Sequence, residues 1–265
     1  MLTAAKKLFS FIGIYLKTNL QAAMEYRGSF INQVLFMILN NAMLLFFWWI
    51  LFDKMDAING WNFTNVLLLD ALASGSFACQ ALLFGGSFQI SNMIANGHLD
   101  YYLALPKPTL LHVLISRSSA SAWGDLIFSI LVFWIAIDGD LSKLIWFPIF
   151  FFTGGLVMTS FAILAHSLSF WLGHSSGLAS QLYEALLSFS LYPEGIFSAS
   201  VRIILYGIIP AAFVSYIPVG IISGWQSYGI VIVPIYSLAL TLFARWVFYK
   251  GLKRYESGNL IVVQV

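Results

Sequence analysis

Four charged residues lie inside stretches of sequence that are otherwise apolar: Asp70, Arg117, Asp125 and Glu184. A charge in hydrocarbon is costly, so such a residue is normally paired or faces a cavity. Asp70 and Asp125 have no obvious basic partner within the apolar stretches. We therefore expect each to be protonated, hydrogen-bonded to Ser, Thr or Asn, or beside a polar cavity. For each of the four, a structural role between helices is favoured over a role in translocation.

Spacing places Arg117 and Glu184 at the same depth. Arg117 follows Thr109 by eight residues, and Glu184 follows Ser176 by eight. At the helical rise per residue, each lies roughly 12 Å inside the same face. The sequence therefore predicts an intramembrane ion pair between the third and fifth membrane helices.

Catalytic signatures are absent from the sequence. It contains no G-x-x-x-x-G-K-[ST] phosphate loop, no G-x-S-x-G elbow and no H-E-x-x-H zinc pair. The single cysteine, Cys79, allows neither an intrachain disulfide nor a cysteine metal site. We assign no catalytic residue, metal or bound cofactor to the chain. Four scattered histidines receive no chemical role: His98, His112, His166 and His174.

The composition is that of a protein whose solvent is the bilayer. Of 265 residues, 60% are apolar and only 9% are charged, which is far from the composition of a soluble domain. Since a crossing helix takes about 20 residues, little length remains for a soluble catalytic domain. We expect an all-α integral membrane protein with one transmembrane domain at residues 29–265. The net charge of +2 gives no indication of nucleic acid binding.

Seven apolar stretches are long enough to be membrane helices, yet both ends of the chain are basic. Basic residues next to membrane helices stay on the cytoplasmic side, so the number of crossings is even. Six transmembrane helices are expected, with both termini cytoplasmic, in a plasma membrane or bacterial inner membrane. The stretches are residues 31–52, 63–88, 109–137, 144–172, 177–192, 203–222 and 228–249.

Residues 203–222 are the best candidate for the stretch that does not cross. Pro210 and Pro218 each remove a backbone hydrogen bond and kink a helix. Broken backbone at membrane depth must be packed in protein or line a watery cavity, so we expect this stretch to be packed on the outer side. The alternative is that residues 177–192, a short stretch bearing Glu184, fail to cross. The residues expected to pack with the broken stretch are Tyr192, Pro193 and Glu194.

Residues 1–28 predict an amphipathic helix lying in the membrane interface. Its apolar stripe alternates with polar residues such as Lys17, Gln21 and Glu25. Two alternatives are a basic leader that merely precedes the first span and a signal peptide, which the start of the chain imitates. The stripe comprises Leu8, Phe11, Ile12, Tyr15, Asn19, Ala22 and Tyr26.

The connection at residues 89–108 is the one sizeable loop predicted on the cytoplasmic side. Its apolar residues form a helical stripe that Gly97 interrupts and that Pro106 and Pro108 end. Such an element either docks a soluble partner or is a loop anchored by its apolar face, and periodicity leaves both readings open. The stripe comprises Ile90, Met93, Ile94, Tyr101 and Leu105.

In the order of these parts the chain resembles the membrane subunit of type 2 ABC transporters, permeases that mostly export lipids, polysaccharides, drugs and peptides. The likeness covers nearly the whole chain. It is carried by the text IANGHLDYYLALPKP after the second stretch, by YPEGIF after the fifth, by IIPAAFVSYIP before the last helix, and by GLKRYESG after it.

This resemblance implies a six-helix half-transporter paired with a second permease, identical or related, and with two copies of an ABC ATPase that holds ATP and Mg. The connection at 89–108 would be the coupling helix, residues 193–225 would be re-entrant and close the exit, and the second and fifth helices would line the pathway. The implied ATPase-coupling residues are Met93, Ile94, Gly97, His98, Leu99, Asp100, Tyr101, Leu103 and Pro106. The implied outer gate comprises Tyr192, Pro193, Glu194, Pro210, Phe213 and Pro218.

The predominance of apolar side chains favours an amphiphilic or lipid-like substrate, because few charged side chains are available to hold a strongly polar one. An ion- or proton-coupled secondary transporter is the main alternative, and it would use Asp70, Asp125 or Glu184 to carry charge. A membrane-embedded lipid enzyme is the least favoured reading, since His98 and Asp100 form its only close pair.

Overall fold

The computed structural model describes residues 2–256, with side chains from Ser10 onward. Within these residues the regular structure consists of helices joined by turns and loops, together with one isolated β-bridge between Ile58 and Trp61. The side chain predicted at Leu8 lies outside the described residues, as do residues 257–265. In chain order the helices are α1 Leu2–Ala23, α2 Arg27–Phe52, α3 Phe63–Leu83, α4 Ile90–Ala95, α5 Leu99–Leu103, α6 Thr109–Ile115, α7 Ala122–Ala136, α8 Trp146–Ser167, α9 Ser169–Leu172, α10 Ser176–Ser190, α11 Ala199–Gly207, α12 Ile217–Ile222 and α13 Gly229–Leu252.

Helix α3 forms the centre of the bundle. Its most apolar segment is 83% buried, against 6% for that of α2 and 17% for that of α13. Small residues bring its neighbours close, since Gly75 lies against Ser129 of α7 and Gly155 of α8 lies against Cys79. Lipid tails are as apolar as leucine, so close packing through small residues is what holds membrane helices together.

The amphipathic pattern predicted for the N-terminal segment is present in part. The side chains of Phe11, Ile12, Tyr15 and Asn19 are half-buried, whereas Tyr26 is exposed. Asn19 donates a hydrogen bond to a carbonyl at the end of α6, over 3.1 Å. Helix α1 therefore packs its apolar stripe on α6, and its placement in a membrane interface remains a prediction.

Residues 109–137 do not form the continuous helix that was expected, because six residues separate α6 from α7. In this break the Ser116 hydroxyl donates to a carbonyl of α6, and the Ser119 N–H donates to Ala81 O of α3 over 3.0 Å. Serine side chains compete with the helix for backbone hydrogen bonds. The depth counted for Arg117 assumed an unbroken helix and was wrong.

Residues 203–222 bend as their prolines predict. Helix α11 and the helical segment Ala212–Ile222 meet at 81°, and Pro210 lies in the break between them. Pro218 lies at the start of α12, directly after a π-helical turn at Ala212–Tyr216. Every residue from 210 to 222 is buried. The prediction that this stretch is packed in protein therefore holds for residues 210–222 but not for α11 and the residue after it, where Ile203 and Ile208 are 75% and 73% exposed.

Four helical segments among the described residues are long and apolar enough to cross a membrane, and the bent pair would be a fifth if it crosses. Helices α7 and α10 each have 15 residues, about 22 Å, which is short for a hydrocarbon core of about 30 Å. The chain is a multi-pass membrane protein. Its six-crossing topology remains a prediction.

Candidate functional site

The connection at residues 89–108 folds into two short helices, α4 and α5. A turn at Asn96 and Gly97 joins them, and Gly97 has a φ of 71°, a conformation that glycine adopts without steric cost. Ile90, Met93 and Leu99 are buried in one apolar cluster with residues of α6, α8 and α13. The connection is therefore fastened by its inner face to three helices of the bundle.

The opposite face of the connection is open, with Tyr101 64% and Leu103 43% exposed. The nine residues predicted to contact an ATPase accordingly divide into three groups. Met93 and Leu99 are buried anchors that no partner can reach directly. The half-buried residues are Ile94, Gly97 and Asp100, and the exposed ones are His98, Tyr101, Leu103 and Pro106.

The segment after α13 is attached to the same connection through Tyr255. The Tyr255 ring packs edge-on against Phe170 at 6.4 Å between centroids. Burial, and then the neighbouring Asp100 carboxylate, raises the pKa of Tyr255 to about 12, because both disfavour the phenolate. Tyr255 also packs against the apolar cluster that contains Met93 and Leu99, so it joins the end of the last helix to the connection.

Helix α6 connects the same region to α1. The Tyr15 hydroxyl contacts Nε2 of His112, and Tyr102 packs edge-on against the His112 ring at 5.2 Å. Lys107 places its Nζ 5.0 Å from the centroid of the Phe11 ring. A displacement of the connection would therefore also displace or strain α1, α6 and α13, which contact it or its neighbours.

A cavity with a mixed lining lies between α3, α8 and α10, with a volume of about 310 Å³. Phe77, Ala81 and Phe88 form the apolar part of its wall, and polar side chains form the other part. Such a mixture suits a ligand with both apolar and polar parts. The polar lining residues are Ser119, His166, Ser180, Tyr183 and Glu184.

Hydrogen bonds join the wall of this cavity to the segment that leads into the connection. The Tyr183 hydroxyl donates to Gln80 Oε1 over 2.7 Å, and Gln80 Nε2 donates to Ser87 Oγ over 3.0 Å. Ser91 of α4 is hydrogen-bonded to Nδ1 of His166 over 2.8 Å. The connection and the cavity are therefore joined by two separate sets of buried hydrogen bonds, which together form the polar network between them.

The predicted ion pair between Arg117 and Glu184 is not formed. Among the side chains that the structure describes, residues 10–256, the ion pairs within 4.0 Å are Lys54–Asp53 and Lys143–Asp140, both at the opposite end from α5. Arg117 lies in the break between α6 and α7, and its side chain is exposed. Glu184 lines the cavity instead. The physical reason is the serine-rich break, which takes Arg117 out of the helix on which its depth was counted.

Asp70 and Asp125 are both buried between helices, at 2% and 3% exposure. Asn41 of α2 donates to Asp125 Oδ1 over 2.7 Å, which is one of the arrangements expected for an intramembrane carboxyl group. Each aspartate keeps one carboxyl oxygen, Oδ2, without a hydrogen-bond partner among the described residues. Asp125 thus joins α2 to α7.

The outer bent segment is held by contacts from several elements. The Tyr206 hydroxyl donates to Glu194 Oε2 over 2.7 Å, and Phe213 stacks on Tyr236 of α13 at 3.6 Å between centroids. Tyr192 packs against Trp48 of α2. Of the predicted gate residues, Pro193, Pro210, Phe213 and Pro218 are buried, Glu194 is half-buried and Tyr192 is 37% exposed.

Sequence reasoning missed two parts of this arrangement. Gln80, Ser91 and His166 were given no role, because an isolated polar residue in an apolar stretch does not reveal its partner. The Asn59–Gly60 dipeptide was also overlooked, although it is a strong turn signal. Both of its residues have positive φ, at 48° and 87°, and Asn59 Nδ2 donates to Gly195 O over 2.6 Å.

Among the described residues, no group of three or more His, Cys, Asp or Glu side chains could hold a metal ion. A family model described as "ABC-2 family transporter protein" matches residues 38–258. Neither the curated proteins nor the solved structures contain a match to the chain.

Proposed function

The chain belongs to the ABC-2 family of transporter proteins, and we propose that it is the permease half of an ATP-driven exporter for an amphiphilic substrate. It would act with a second permease, identical or related, and with two copies of an ABC ATPase subunit that hold ATP and Mg. In this arrangement it crosses a plasma or bacterial inner membrane six times, both termini are cytoplasmic, and it has no catalytic residue of its own.

The observation that carries this proposal is the polar network between the connection and the cavity. In ATP-driven transport, movement of the ATPases must reach the substrate pathway, and packed elements with two discrete arrangements can transmit it. Tyr101 and Leu103 offer exposed apolar surface to a partner. In the same connection Ser91 is bonded to His166 of the cavity wall, and Ser87, just before it, is bonded to Gln80, which accepts from Tyr183 of that wall. A push on α5 therefore has a physical route to Tyr183 and His166.

The cavity supports the proposed substrate class. Phe77 and Phe88 would contact an apolar chain, and Ser180 and Glu184 would accept or donate hydrogen bonds to a polar head. Helices α3 and α10, which correspond to the second and fifth predicted spans, supply most of the wall. The outer bent segment, residues 193–225, would be re-entrant and close the exit above this pathway.

The test is purification of the permease with its ATPase in mild detergent and measurement of ATPase stimulation. Tyr101→Ala and Leu103→Ala should each weaken binding of the ATPase by about thirtyfold and reduce stimulation accordingly, since truncation of a central interface anchor typically costs about 2 kcal/mol. Tyr228→Ala and Leu144→Ala are matched controls. Their side chains are exposed to nearly the same extent, at 62% and 43%, but lie away from the connection.

Unchanged assembly and unchanged stimulation in both connection variants would contradict the proposed docking surface. An ion- or proton-coupled transporter is the second candidate, and the unpartnered Oδ2 atoms of Asp70 and Asp125 are the observation that favours it. The two are distinguished by transport in vesicles that lack the ATPase. Substrate movement driven by an ion gradient alone would support the second candidate and exclude the first.

A further inference from the structure

A second, apolar groove opens between α6, α8 and α13, with a volume of about 220 Å³. Leu110, Leu114 and Ile163 form much of its wall. The hydroxyl groups of Ser160, Thr241 and Thr159 in its lining are already hydrogen-bonded, the first two to each other over 2.9 Å and the third to Gly155 O. The groove therefore presents a hydrocarbon-like surface, although it lies beside charged residues.

An adjoining cavity of about 580 Å³ runs along the last turns of α13, and both cavities are lined by Arg245 and Tyr249. Arg245, Lys250 and Lys253 all lie on this second cavity. The apolar groove therefore ends at a rim that carries three positive charges.

These charges have no acidic partner in the part of the chain that the structure describes. The ion pairs there involve none of the three. Arg245 instead places its guanidinium 5.7 Å from the centroid of the Tyr249 ring, and Lys250 places its Nζ 4.7 Å from that of Trp246. Cation–ring contacts at an exposed site are worth only about 0.5–1 kcal/mol, which leaves the cations available to an anion.

The depth of Arg245 makes the lack of a partner significant. It follows Gly229 by sixteen residues, which places it about 24 Å along a helix that crosses a hydrocarbon core about 30 Å thick. An arginine there avoids a cost of several kcal/mol by extending its guanidinium to the membrane interface. A lipid phosphate is the anion that is always present at that depth.

We propose that the groove binds one anionic phospholipid. An acyl chain lies between α6 and α13 against Leu114 and Ile163, and the phosphate is bound by Arg245 and Lys250. A headgroup with net negative charge is favoured over a zwitterionic one because the rim carries three cations and no carboxylate. A second copy of the chain is a poorer occupant, because a symmetric contact at this groove would bring two cationic rims together.

A lipid in this groove would stabilise the attachment of the connection to the bundle. Leu110 and Leu114 belong to the same buried cluster as Met93, Leu99 and Phe248. A bound acyl chain would therefore fill the space between α6 and α13 next to the cluster that supports α4 and α5. This consequence for coupling rests on the proposed function. The binding itself does not, and the experiment therefore measures binding alone.

The full chain is reconstituted in phosphatidylcholine nanodiscs and titrated with phosphatidylglycerol that carries brominated acyl chains. Bromine quenches Trp246 fluorescence at the groove, and Trp246→Phe identifies that part of the signal. We expect phosphatidylglycerol to be preferred over brominated phosphatidylcholine by about thirtyfold, since each of the two residues that bind the phosphate contributes about 1 kcal/mol to anionic lipid binding. The Arg245→Gln/Lys250→Gln double variant, which keeps Lys253, should lose most of this preference.

Two further variants keep the test decisive. Lys54→Gln/Lys143→Gln removes the same charge at the opposite end of the molecule and should retain the preference. Leu111→Trp fills the groove without a change of charge and should lower the amount of phosphatidylglycerol that co-purifies with the chain, even if the double variant fails to fold. Lipid retention is the readout for this variant, because the added tryptophan is itself fluorescent. Inorganic phosphate, which lacks an acyl chain, should not compete.

Equal lipid preference in the wild-type chain and the double variant would overturn the proposal, as would displacement by inorganic phosphate. A change of oligomeric state in Leu111→Trp with an unchanged lipid preference would identify the groove as a protein interface and would also overturn it. Failure of the ATPase experiment above leaves this outcome unaffected.

Discussion

The connection α4–α5 and residues 210–222 of the outer bent segment are both made of short helices at a break, yet they leave opposite amounts of surface free. The first arm of the outer segment, α11 and the residue after it, is more open and exposes Ile203 and Ile208. The connection buries one face and exposes Tyr101 and Leu103 on the other. The outer segment is buried at every position from 210 to 222. A break in an apolar stretch therefore does not define a role. What distinguishes the two segments is whether a face remains available to a partner.

The two segments also differ in what holds them. The outer segment is bonded on several sides, since Tyr216 donates to Phe189 O and Ser223 donates to Asn65 Oδ1 over 2.9 Å. The connection depends on an apolar cluster below it and on the polar network to Gln80 and His166. We therefore expect substitutions at the outer end to lower the stability of the protein, and substitutions at the connection to weaken the coupling between the ATPase and the cavity.

The largest effect is expected for Trp61→Ala at the outer end. Trp61 is 2% exposed and packs edge-on against Tyr216 and Trp225. Its removal leaves a large cavity, which costs about 3–5 kcal/mol and lowers the Tm by roughly 10 °C. Thermal unfolding in detergent measures this. Trp49→Ala, at a position 54% exposed, is the control and should change the Tm little. Equal Tm values for the two variants would remove the basis of the comparison.

A smaller effect on stability but a clear one on coupling is expected for Gly97→Ala. At a φ of 71° a Cβ strains the turn between α4 and α5 by about 1 kcal/mol. We expect faster hydrogen exchange in α5 and reduced ATPase stimulation, with a nearly unchanged Tm. Gly177→Ala is the matched control, since an added Cβ there meets nothing within 4 Å and φ is not positive. The same loss of stimulation in both variants would argue against a specific role for this turn.

The features predicted correctly from the sequence are those that depend on composition, on single residues or on residues close together in the sequence. The apolar composition indicates that the protein lies in a membrane. Pro210 bends its segment in any surroundings, because the missing N–H is a property of the residue itself. The stripe of Ile90 and Met93 likewise identifies a buried face without knowledge of what covers it. The membrane class, the outer bend and the amphipathic connection were therefore all accessible from the residues.

The features that were missed depend on which helices meet. The ion pair of Arg117 and Glu184 was inferred from equal depth on two continuous helices, but the serines after α6 bond elsewhere and end that helix. The partners of Gln80 and His166 come from segments seven and 75 residues away. A single sequence carries no signal for such pairings, so the cavity and its network emerge only from the fold.

The smallest expected effect concerns the link between the connection and the end of α13. The pKa of Tyr255 is raised from 10.0 to about 12, so this contribution to stability is complete below pH 10 and is lost as the pH rises through 12. Burial is the first cause and the Asp100 carboxylate the second. Asp100→Asn should therefore lower the pKa towards 10 without restoring it fully. Tyrosinate absorbance measures this, with Tyr255→Phe to assign the signal and Asp140→Asn, at the opposite end, as the control. An identical Tyr255 titration in Asp100→Asn and the wild-type chain would separate α5 from the C-terminal segment, and the connection would then be fastened by its apolar face alone.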